Sequence, residues 1–285
     1  MHLKIELPNN DDILENIQAL IPALSKMEEC SNGKILLDLS DTSWMPPCCI
    51  ILLSNKVLEL RERGIVFDWI PPENEKVNLH LRKLGFPLGS KVDGDSYVPI
   101  THIIYDKSDR KKLGKAISDL LNKLIEKIPN NLNGVSYILG ELSDNIEDHS
   151  EFNCASIMAQ YFPQKREIEI IVFDDGLTIP GVFVKNNVSF NRDSEAIEKA
   201  VSGEISTKGI SEKEEGRGYG LRTCRKLSVE DFMGEIYIFS RKGNVISKYN
   251  QESIVGDIEE ELDGTLLCVK IKLPLEEIDF YRSVE

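Results

Sequence analysis

The sequence lacks the features that would place the protein in a membrane, secreted or zinc-binding class at once. It has no run approaching the roughly 20 apolar residues that a membrane-spanning helix needs. Its opening, MHLKIELPNNDD, has no basic flank followed by an apolar core, so it differs from a secretory signal. It also has no CxxC pair, which argues against zinc. We therefore expect a cytoplasmic protein without a membrane partner, whose six scattered cysteines are buried thiols.

Basic residues are in the minority. The chain has 34 Lys and Arg against 48 Asp and Glu, which gives a formal net charge of -14 at pH 7. This balance opposes nonspecific attraction to phosphate backbones and to anionic lipid. We therefore expect no nucleic acid partner.

The first part of the sequence has the pattern of an α/β unit. The apolar fraction of 41% and the charged fraction of 29% are typical of a soluble globular protein, and 285 residues are enough for two domains. Short apolar runs predict strands at 34–41 and 65–70, and helical spacing predicts helices at 50–64 and 77–86. Alternating strands and helices of this kind form α/β units.

A segment rich in Gly, Pro, Ser and Asp at 85–99 is predicted to be a connector. We therefore place one domain at 1–100 and another at 101–285. In the second domain the periodicity predicts two helices, at 107–129 and 135–150. It also predicts strands at 154–162, 167–175, 234–243, 244–250 and 264–274. The first two of these strands are expected to form a hairpin.

A polar stripe lies along the second of these helices, within ELSDNIEDH. Glu141, Asn145 and Asp148 are spaced by four and three residues and so share one face. The flanks of the stripe are Asp144 and His149, and the adjoining apolar arc is Val135, Ile138, Leu139, Leu142 and Ile146. At the edge of a buried face a carboxylate can take a proton from water, and an amide oxygen can hold a hard cation. An ordinary solvated helix face would have the same pattern, so both interpretations stay open here.

Two glycine-bearing segments follow this helix. In IIVFDDGLTIP an apolar strand leads into Asp174, which can accept a hydrogen bond from an exocyclic amine, and Gly176 allows a sharp backbone turn, although such turns are common. In EGRGYGLRTCRKL three alternating glycines precede a helical stretch, an arrangement that suits phosphate but also suits a simple hinge or helix entry. The polar segment 189–214 resembles a mobile lid, whose Ser206, Thr207 and Lys208 could reach a terminal phosphate when the lid closes, but an ordinary solvated loop would have the same composition.

In their order and separation, ELSDNIEDH, FDDGLTIP, GRGYGL and the late DGT resemble the N box, the G1 and G2 boxes and the final threonine strand of the GHKL ATPase superfamily. That superfamily includes gyrase-type topoisomerases, Hsp90 chaperones, MutL and histidine kinases. The resemblance covers residues about 105 to 275 and implies a Bergerat fold, a two-layer α/β sandwich with helices on one face of a mixed sheet.

The resemblance also implies a role for each matching residue, with ATP and Mg²⁺ as cofactors. Asn145 would ligate the magnesium ion and Glu141 would be the general base for water. Asp174 would hold the adenine amine, supported by Thr265. The remaining residues implied to bind the nucleotide are Asp148, His149, Gly176, Thr178, Thr207, Lys208, Gly216, Arg217, Gly218, Tyr219, Gly220 and Leu221.

Some positions depart from the superfamily pattern. Thr178 stands where the G1 box usually has a second glycine, and Asp148 stands where histidine kinases commonly have a lysine. None of the four histidines, His2, His80, His102 and His149, lies in a phospho-acceptor setting. We therefore do not expect histidine autokinase activity.

Residues 1–100 are similar to STAS domains through LLDLSDTSWMPPCCIILL and the following RERGIVFDWIPPENEKVNLHLRKLGF. Phosphorylatable STAS proteins have a serine at the helix start, where this chain has Pro46, Pro47, Cys48 and Cys49. The similarity therefore implies docking of a protein partner, or sensing, rather than a phosphorylation switch.

Three functions follow from these resemblances. The first is a magnesium-dependent ATP-binding protein with slow ATPase activity that acts as a conformational switch. The second is an ATP-gated interaction module with negligible hydrolysis, in which nucleotide drives homodimer formation. The third is a serine kinase of the anti-sigma type that acts on a separate partner.

Overall fold

A computed structural model describes residues 1–8, 10–31, 33–90, 94, 96–104, 122–123, 133–149, 152–203 and 220–273, with the backbone alone for 133 and 143–149. The predicted helix at 107–129 lies almost entirely outside these residues. None of the helices within the described ranges has the length and apolar character that crossing a bilayer requires.

The N-terminal part is a three-stranded parallel sheet with helices, in the strand order β1-β2-β3. Helix α1 begins after Asp12, whose side chain accepts a hydrogen bond from the Glu15 N–H and so caps the helix. The predicted strand–helix–strand–helix order is confirmed, and a further strand and helix precede it. The STAS likeness itself stays a prediction. The elements are β1 (His2–Lys4), α1 (Ile13–Glu28), β2 (Lys34–Asp38), α2 (Pro47–Glu62), β3 (Val66–Ile70) and α3 (Glu75–Lys83).

The C-terminal part contains a five-stranded sheet in the order β4-β5-β6-β8-β7. All four pairings between its described strands are antiparallel, whereas the family resemblance implied a mixed sheet. The elements are β4 (Tyr97–Ile104), α4 (Asn133–His149), β5 (Cys154–Phe162), β6 (Glu167–Asp174), α5 (Ile179–Lys185), α6 (Asp193–Ser202), α7 (Gly220–Arg225), a π-helical turn (Lys226–Asp231), β7 (Glu235–Lys248) and β8 (Ile254–Lys272).

Two features of this sheet differ from the sequence-based expectation. The predicted strands at 234–243 and 244–250 form the single strand β7, because a bulge near Arg241, whose φ is 54°, absorbs the irregularity without ending the strand. Strand β4 spans the predicted domain boundary at residue 100 and pairs with β5. The five-stranded sheet therefore begins before that boundary.

Helices α4, α6 and α7 cover one face of the five-stranded sheet. Ile138 and Leu142 of α4 share a buried core with Val172 of β6 and Val269 of β8. This arrangement is the predicted two-layer α/β sandwich, which is confirmed.

The opposite face of the same sheet is covered by the N-terminal part. Helix α1 packs on β8, and helix α2 packs on β4, β5 and β6. Leu53 of α2 belongs to one continuous buried cluster with Ile171 and Phe173 of β6 and Cys268 of β8. Every residue of α2 from Pro47 to Val57 is buried, which requires neighbours all around this part of the helix. The two parts are therefore joined by a shared core.

Hydrogen bonds in the interior, one of them fully buried, cross this junction. The Asn55 side-chain amide donates to Ser156 Oγ at 2.9 Å, and Ser156 Oγ lies 2.7 Å from His102 Nδ1. His102 Nε2 lies 3.1 Å from Ser54 Oγ. Burial lowers the pKa of His102 to about 4, so the ring is neutral at pH 7. All six cysteines are free and buried, as expected.

Candidate functional site

Three polar side chains lie side by side on adjacent strands at one end of the five-stranded sheet. Asp174 ends β6 and is paired in register with Thr265 of β8, which is paired with Ser240 of β7. The exposed fractions are 5% for Asp174, 5% for Thr265 and 0% for Ser240. The Ser240 Oγ and Thr265 Oγ1 atoms are hydrogen-bonded, 2.9 Å apart. Sheet register therefore brings together Asp174 and Thr265, which the sequence predicted, and adds Ser240, which it did not.

The close approach of β8 to β6 at this point depends on Gly264. Its φ is +135°, and a Cβ atom there would lie 2.1 Å from the Asp174 carbonyl oxygen. A residue with a side chain cannot take this position without moving a strand. Gly264 thus explains the DGT sequence, because it lets Thr265 lie beside Asp174.

The Asp174 carboxyl is buried in the sheet end. Burial raises the pKa of this carboxyl to about 7, the Gly176 N–H that donates to Oδ1 at 3.1 Å opposes the rise, and the nearby Asp175 charge adds to it. The group retains acceptor capacity in a region of low dielectric, where a hydrogen bond is stronger than in water. It can hold an amine donor of a ligand.

The neighbouring Asp175 has a structural role. Its Oδ1 accepts the backbone N–H groups of Asn153 at 2.7 Å and of Cys154 at 2.9 Å, which fixes the start of β5. The two adjacent acids are therefore distinct in function, which their sequence alone does not reveal.

The segment after Asp174 is fixed by two side-chain hydroxyls. Thr178 caps α5, since its Oγ1 accepts the Gly181 N–H at 3.0 Å. The Ile179 N–H donates to Ser240 Oγ at 2.9 Å. Ser240 thus links the loop after Asp174 to Thr265 and holds the loop and Thr265 in position.

The predicted helix with the polar stripe is α4. Val135, Ile138, Leu139 and Leu142 of the predicted apolar arc are all buried, which confirms the orientation of the helix. Glu141 is half-buried at the edge of that arc. Asn145, Asp148 and His149 lie on the last turns of α4, and their side chains lie outside the described part of the chain.

Glu141 is hydrogen-bonded to Tyr137, one turn earlier on α4. Tyr137 is also hydrogen-bonded to Thr223 of α7, and burial, together with Glu141, raises the pKa of the Tyr137 hydroxyl to about 12. Contact between the two helices is close, with Cys224 Sγ 3.8 Å from the Ile138 carbonyl oxygen. The i, i+4 spacing of Tyr137 and Glu141 was visible in the sequence and could have indicated their contact. Nothing in the local pattern indicates Thr223.

The polar group at the sheet end and the Tyr137–Glu141 pair lie in the same layer of the molecule. Strand alternation places the side chains of Asp174, Thr265 and Ser240 on the face that α4 and α7 cover, together with Val172, Val269 and Ile238 of the core. Gly220 and Leu221 open α7, in agreement with the predicted helical stretch after the glycines. The other predicted nucleotide residues lie outside the described residues: Thr207, Lys208, Gly216, Arg217, Gly218 and Tyr219.

Within the described ranges no group of three His, Cys, Asp or Glu side chains is placed to hold a metal ion. The predicted magnesium ligand, Asn145, is an amide and would act with phosphate oxygens and water rather than within such a group.

Comparison with protein families gives a match to the family described as "Histidine kinase-, DNA gyrase B-, and HSP90-like ATPase" over residues 130–277. The matched region is more than half of the 285 residues. It contains α4, the Asp174 strand end, α7 and Thr265. None of the curated proteins compared with the chain matches it.

Proposed function

The chain belongs to the histidine kinase-, DNA gyrase B- and HSP90-like ATPases, and from this premise we propose that it binds ATP with magnesium and hydrolyses it slowly, as a nucleotide-driven switch. Membership of the family supports ATP binding and ATPase-like function. The observation that carries the proposal for this chain is the buried group of Asp174, Thr265 and Ser240, in the same layer as Glu141.

In this proposal Asp174 accepts a hydrogen bond from the adenine amine. In its ionised form the buried carboxylate discriminates between bases, because a base with a carbonyl oxygen in place of the amine would leave both acceptors without a donor. Thr265 supports the same contact and is itself held by Ser240 at 2.9 Å. Gly176 and Thr178 belong to the loop that follows Asp174.

Glu141 is proposed as the base that takes a proton from the attacking water. Its hydrogen bond to Tyr137 fixes the direction of the carboxylate, and the contact of Tyr137 with Thr223 links that direction to α7. Since α7 begins at Gly220, the last glycine of the proposed phosphate-binding segment with Gly216 and Gly218, a movement of that segment would be transmitted to the base.

Asn145 is proposed to hold Mg²⁺. It lies one turn after Glu141 on α4 and therefore on the same face. An amide oxygen combined with phosphate oxygens and waters is a donor set that Mg²⁺ accepts, and the ion would neutralise phosphate charge during transfer. Asp148, His149, Thr207, Lys208, Arg217, Tyr219, Gly220 and Leu221 complete the proposed nucleotide site.

Replacement of Asp174 tests the adenine contact. Asp174→Ala is expected to weaken ATP binding by about 10- to 100-fold, since a hydrogen bond to a charged group contributes about 1.5–3 kcal/mol. Calorimetric titration with ATP and magnesium measures the change. Asp175→Asn is the matched control, because the Asp175 carboxylate is used by the backbone of Asn153 and Cys154. Equal affinity in Asp174→Ala and the unmodified protein would contradict the assignment.

The raised pKa of Asp174 has a second measurable consequence. The folded pKa of about 7 lies above the unfolded value near 3.8, so the native state binds more protons and its stability falls as pH rises between these values. Asp174→Asn removes this pH-dependent contribution to the free energy of unfolding. We expect urea unfolding to show that the variant gains stability relative to the unmodified protein as pH rises from 5 to 8, while it loses ATP affinity. A constant difference across this range would contradict the burial argument.

Ser240→Ala tests the positioning of Thr265 and the loop. It removes the acceptor of the Ile179 N–H and the partner of Thr265, so we expect a loss of about 1–3 kcal/mol in stability together with an increase in the Kd for ATP. Ser54→Ala is the control, since Ser54 is also fully buried and hydrogen-bonded but lies on α2, behind the sheet. ATP affinity that changes equally in both variants would show that Ser240 acts only through general stability.

A further inference from the structure

A cavity lies on the reverse face of the five-stranded sheet, between the N-terminal part and the end of the sheet that carries Asp174. Its volume is about 550 Å³, within the range of small-molecule sites, about 300–1,000 Å³. Its walls come from α1, α2, the start of β5, the end of β6 and β8. We call it the reverse-face cavity and define it by Leu24, Asn55, Cys154, Phe173 and Leu262.

The reverse-face cavity is separate from the proposed nucleotide site. Phe173 precedes Asp174 on β6, and it belongs to the core shared with the N-terminal part, together with Leu24 and Leu262. Because side chains alternate along a strand, Asp174 faces the helical layer on the opposite side of the sheet. The cavity therefore lies behind the proposed nucleotide site and does not overlap it.

Acidic side chains outnumber basic ones in the lining, which contains six carboxylates and two basic groups. The two basic groups are Lys56 and Arg63, and each is hydrogen-bonded to both Glu28 and Glu59. These four side chains neutralise one another. An anionic ligand would therefore find no unpaired basic group among the described residues of the lining.

Three of the other carboxylates of the lining lack a cationic partner. Glu261 is paired with Arg241 at 3.0 Å, but Glu62 and Asp263 form no hydrogen bond or ion pair within the described part of the chain. Asp175 uses only Oδ1, for two backbone N–H groups, so its Oδ2 atom remains available. The lining thus has an excess of negative charge, which favours a cationic ligand.

The negative potential of these groups reaches the buried wall of the cavity. Burial raises the pKa of the Cys154 thiol to about 12, and the charges of Asp175 and Glu62 add to the rise. The thiol is therefore neutral and contributes no charge of its own. A cation at this wall would be attracted by both carboxylates.

Asn55 independently indicates a ligand that donates hydrogen bonds. The residue is only 3% exposed, and its amide nitrogen donates to Ser156 Oγ at 2.9 Å. Its Oδ1 atom accepts no hydrogen bond from the described residues but retains accessible surface, so a ligand in the cavity can reach it. A buried amide oxygen without a donor is costly. An N–H group of a ligand would satisfy it.

The distribution of the unpaired carboxylates favours an extended cation. Glu62 ends α2, Asp175 follows β6 and Asp263 lies within β8. No three acidic, His or Cys side chains of the described chain are close enough together to hold a metal ion, so one compact cation would not neutralise all of these groups. The lining also contains the apolar side chains Ile21, Leu24, Leu52, Leu58, Phe173 and Leu262. Ammonium groups separated by methylene segments would match both the acidic and the apolar parts.

We propose that the reverse-face cavity binds a linear aliphatic polyamine. Its ammonium groups neutralise Glu62, Asp175 and Asp263, and one of them donates to Asn55 Oδ1. Its methylene segments lie against the apolar side chains of the lining. Such a ligand would connect α2 with the end of β6 and with β8, and would therefore stabilise the junction between the two parts of the chain.

The test uses the full chain without nucleotide and with spermidine as the probe, so its outcome does not depend on the proposed ATP function. Spermidine should bind at a single site in calorimetry and should raise the Tm by about 2–5 °C at saturation. Hexaamminecobalt(III) has the same charge in a compact form and should give a clearly smaller shift. Equal shifts from the two cations, or no shift from spermidine, would overturn the proposal, because screening of the net charge needs no extended site.

A double variant locates the site. Glu62→Gln combined with Asp263→Asn removes two exposed carboxylates of the lining, so the fold should be retained, and the affinity for spermidine should fall by about tenfold. Glu198→Gln combined with Glu252→Gln is the matched control, since it makes the same change in net charge at exposed positions outside the lining. Equal spermidine affinity in the two double variants would contradict the assignment.

A tri-lysine peptide with blocked ends separates a free polyamine from a basic segment of a protein partner. It has three ammonium groups, as spermidine does, but they are carried on a peptide backbone. The peptide should bind more weakly than spermidine in the same calorimetric titration. Tighter binding of the peptide would overturn the polyamine assignment in favour of a basic protein segment.

Discussion

Glu141→Gln is expected to lower the rate of ATP turnover by about 10²- to 10⁴-fold while the Kd for ATP changes little. A positioned general base contributes this much to proton transfer in the transition state. The amide keeps the size of the side chain and can still interact with Tyr137, but it cannot take a proton from water. The loss therefore falls on kcat and not on ground-state binding.

Phosphate release under saturating ATP measures the rate, and calorimetry measures binding in the same preparation. Tyr137→Phe removes only the hydroxyl that orients Glu141 and should give a smaller decrease in kcat. Glu198→Gln, an exposed change on α6 in the same layer, is the matched control and should leave both quantities unchanged. Turnover that survives in Glu141→Gln would remove Glu141 from the catalytic role and would favour the ATP-gated module without hydrolysis.

Leu53→Ala is expected to destabilise the whole chain by about 2–5 kcal/mol, the usual effect of removing a fully buried leucine side chain. Leu53 lies on α2 and has 0% exposure within the core that joins the two parts. Because the core is shared, we expect the secondary structure and the ATP site to be lost together in one transition on urea unfolding.

Far-ultraviolet circular dichroism and ATP binding, followed through the same urea series, measure the two losses. Leu79→Ala is the matched control, since Leu79 on α3 is 54% exposed and its truncation should change stability by less than about 0.5 kcal/mol. Two separate transitions, with ATP binding retained after the N-terminal part has unfolded, would contradict the shared core.

The shared core also limits how a nucleotide switch can work in this chain. If ATP released the N-terminal part from the sheet, Ile171, Phe173 and Cys268 would be exposed to water at a cost of about 25 cal/mol for each Å² of apolar surface. A change of state in which the two parts stay packed is therefore favoured. The contact from α7 through Tyr137 to Glu141 provides a route for such a change within the helical layer.

Much of the nucleotide side of the molecule was predictable because its signals are local. The apolar residues of α4 recur at helical spacing, and β6 is a short apolar run that ends in Asp174, so each element could be assigned from its own residues. The order of the polar segments then indicated the family, which the match over residues 130–277 confirms.

The sequence by itself thus determined which helix carries Glu141, which strand ends in Asp174 and that a small α/β unit precedes them. Tertiary structure alone decided that Ser240 joins Thr265, that Thr223 reaches Tyr137 and that α2 lies against the back of the sheet. The physical reason is that periodicity reports which face of an element is buried, but not what covers it. Contacts between residues far apart in the chain depend on strand register and on the packing of layers, which no local pattern encodes.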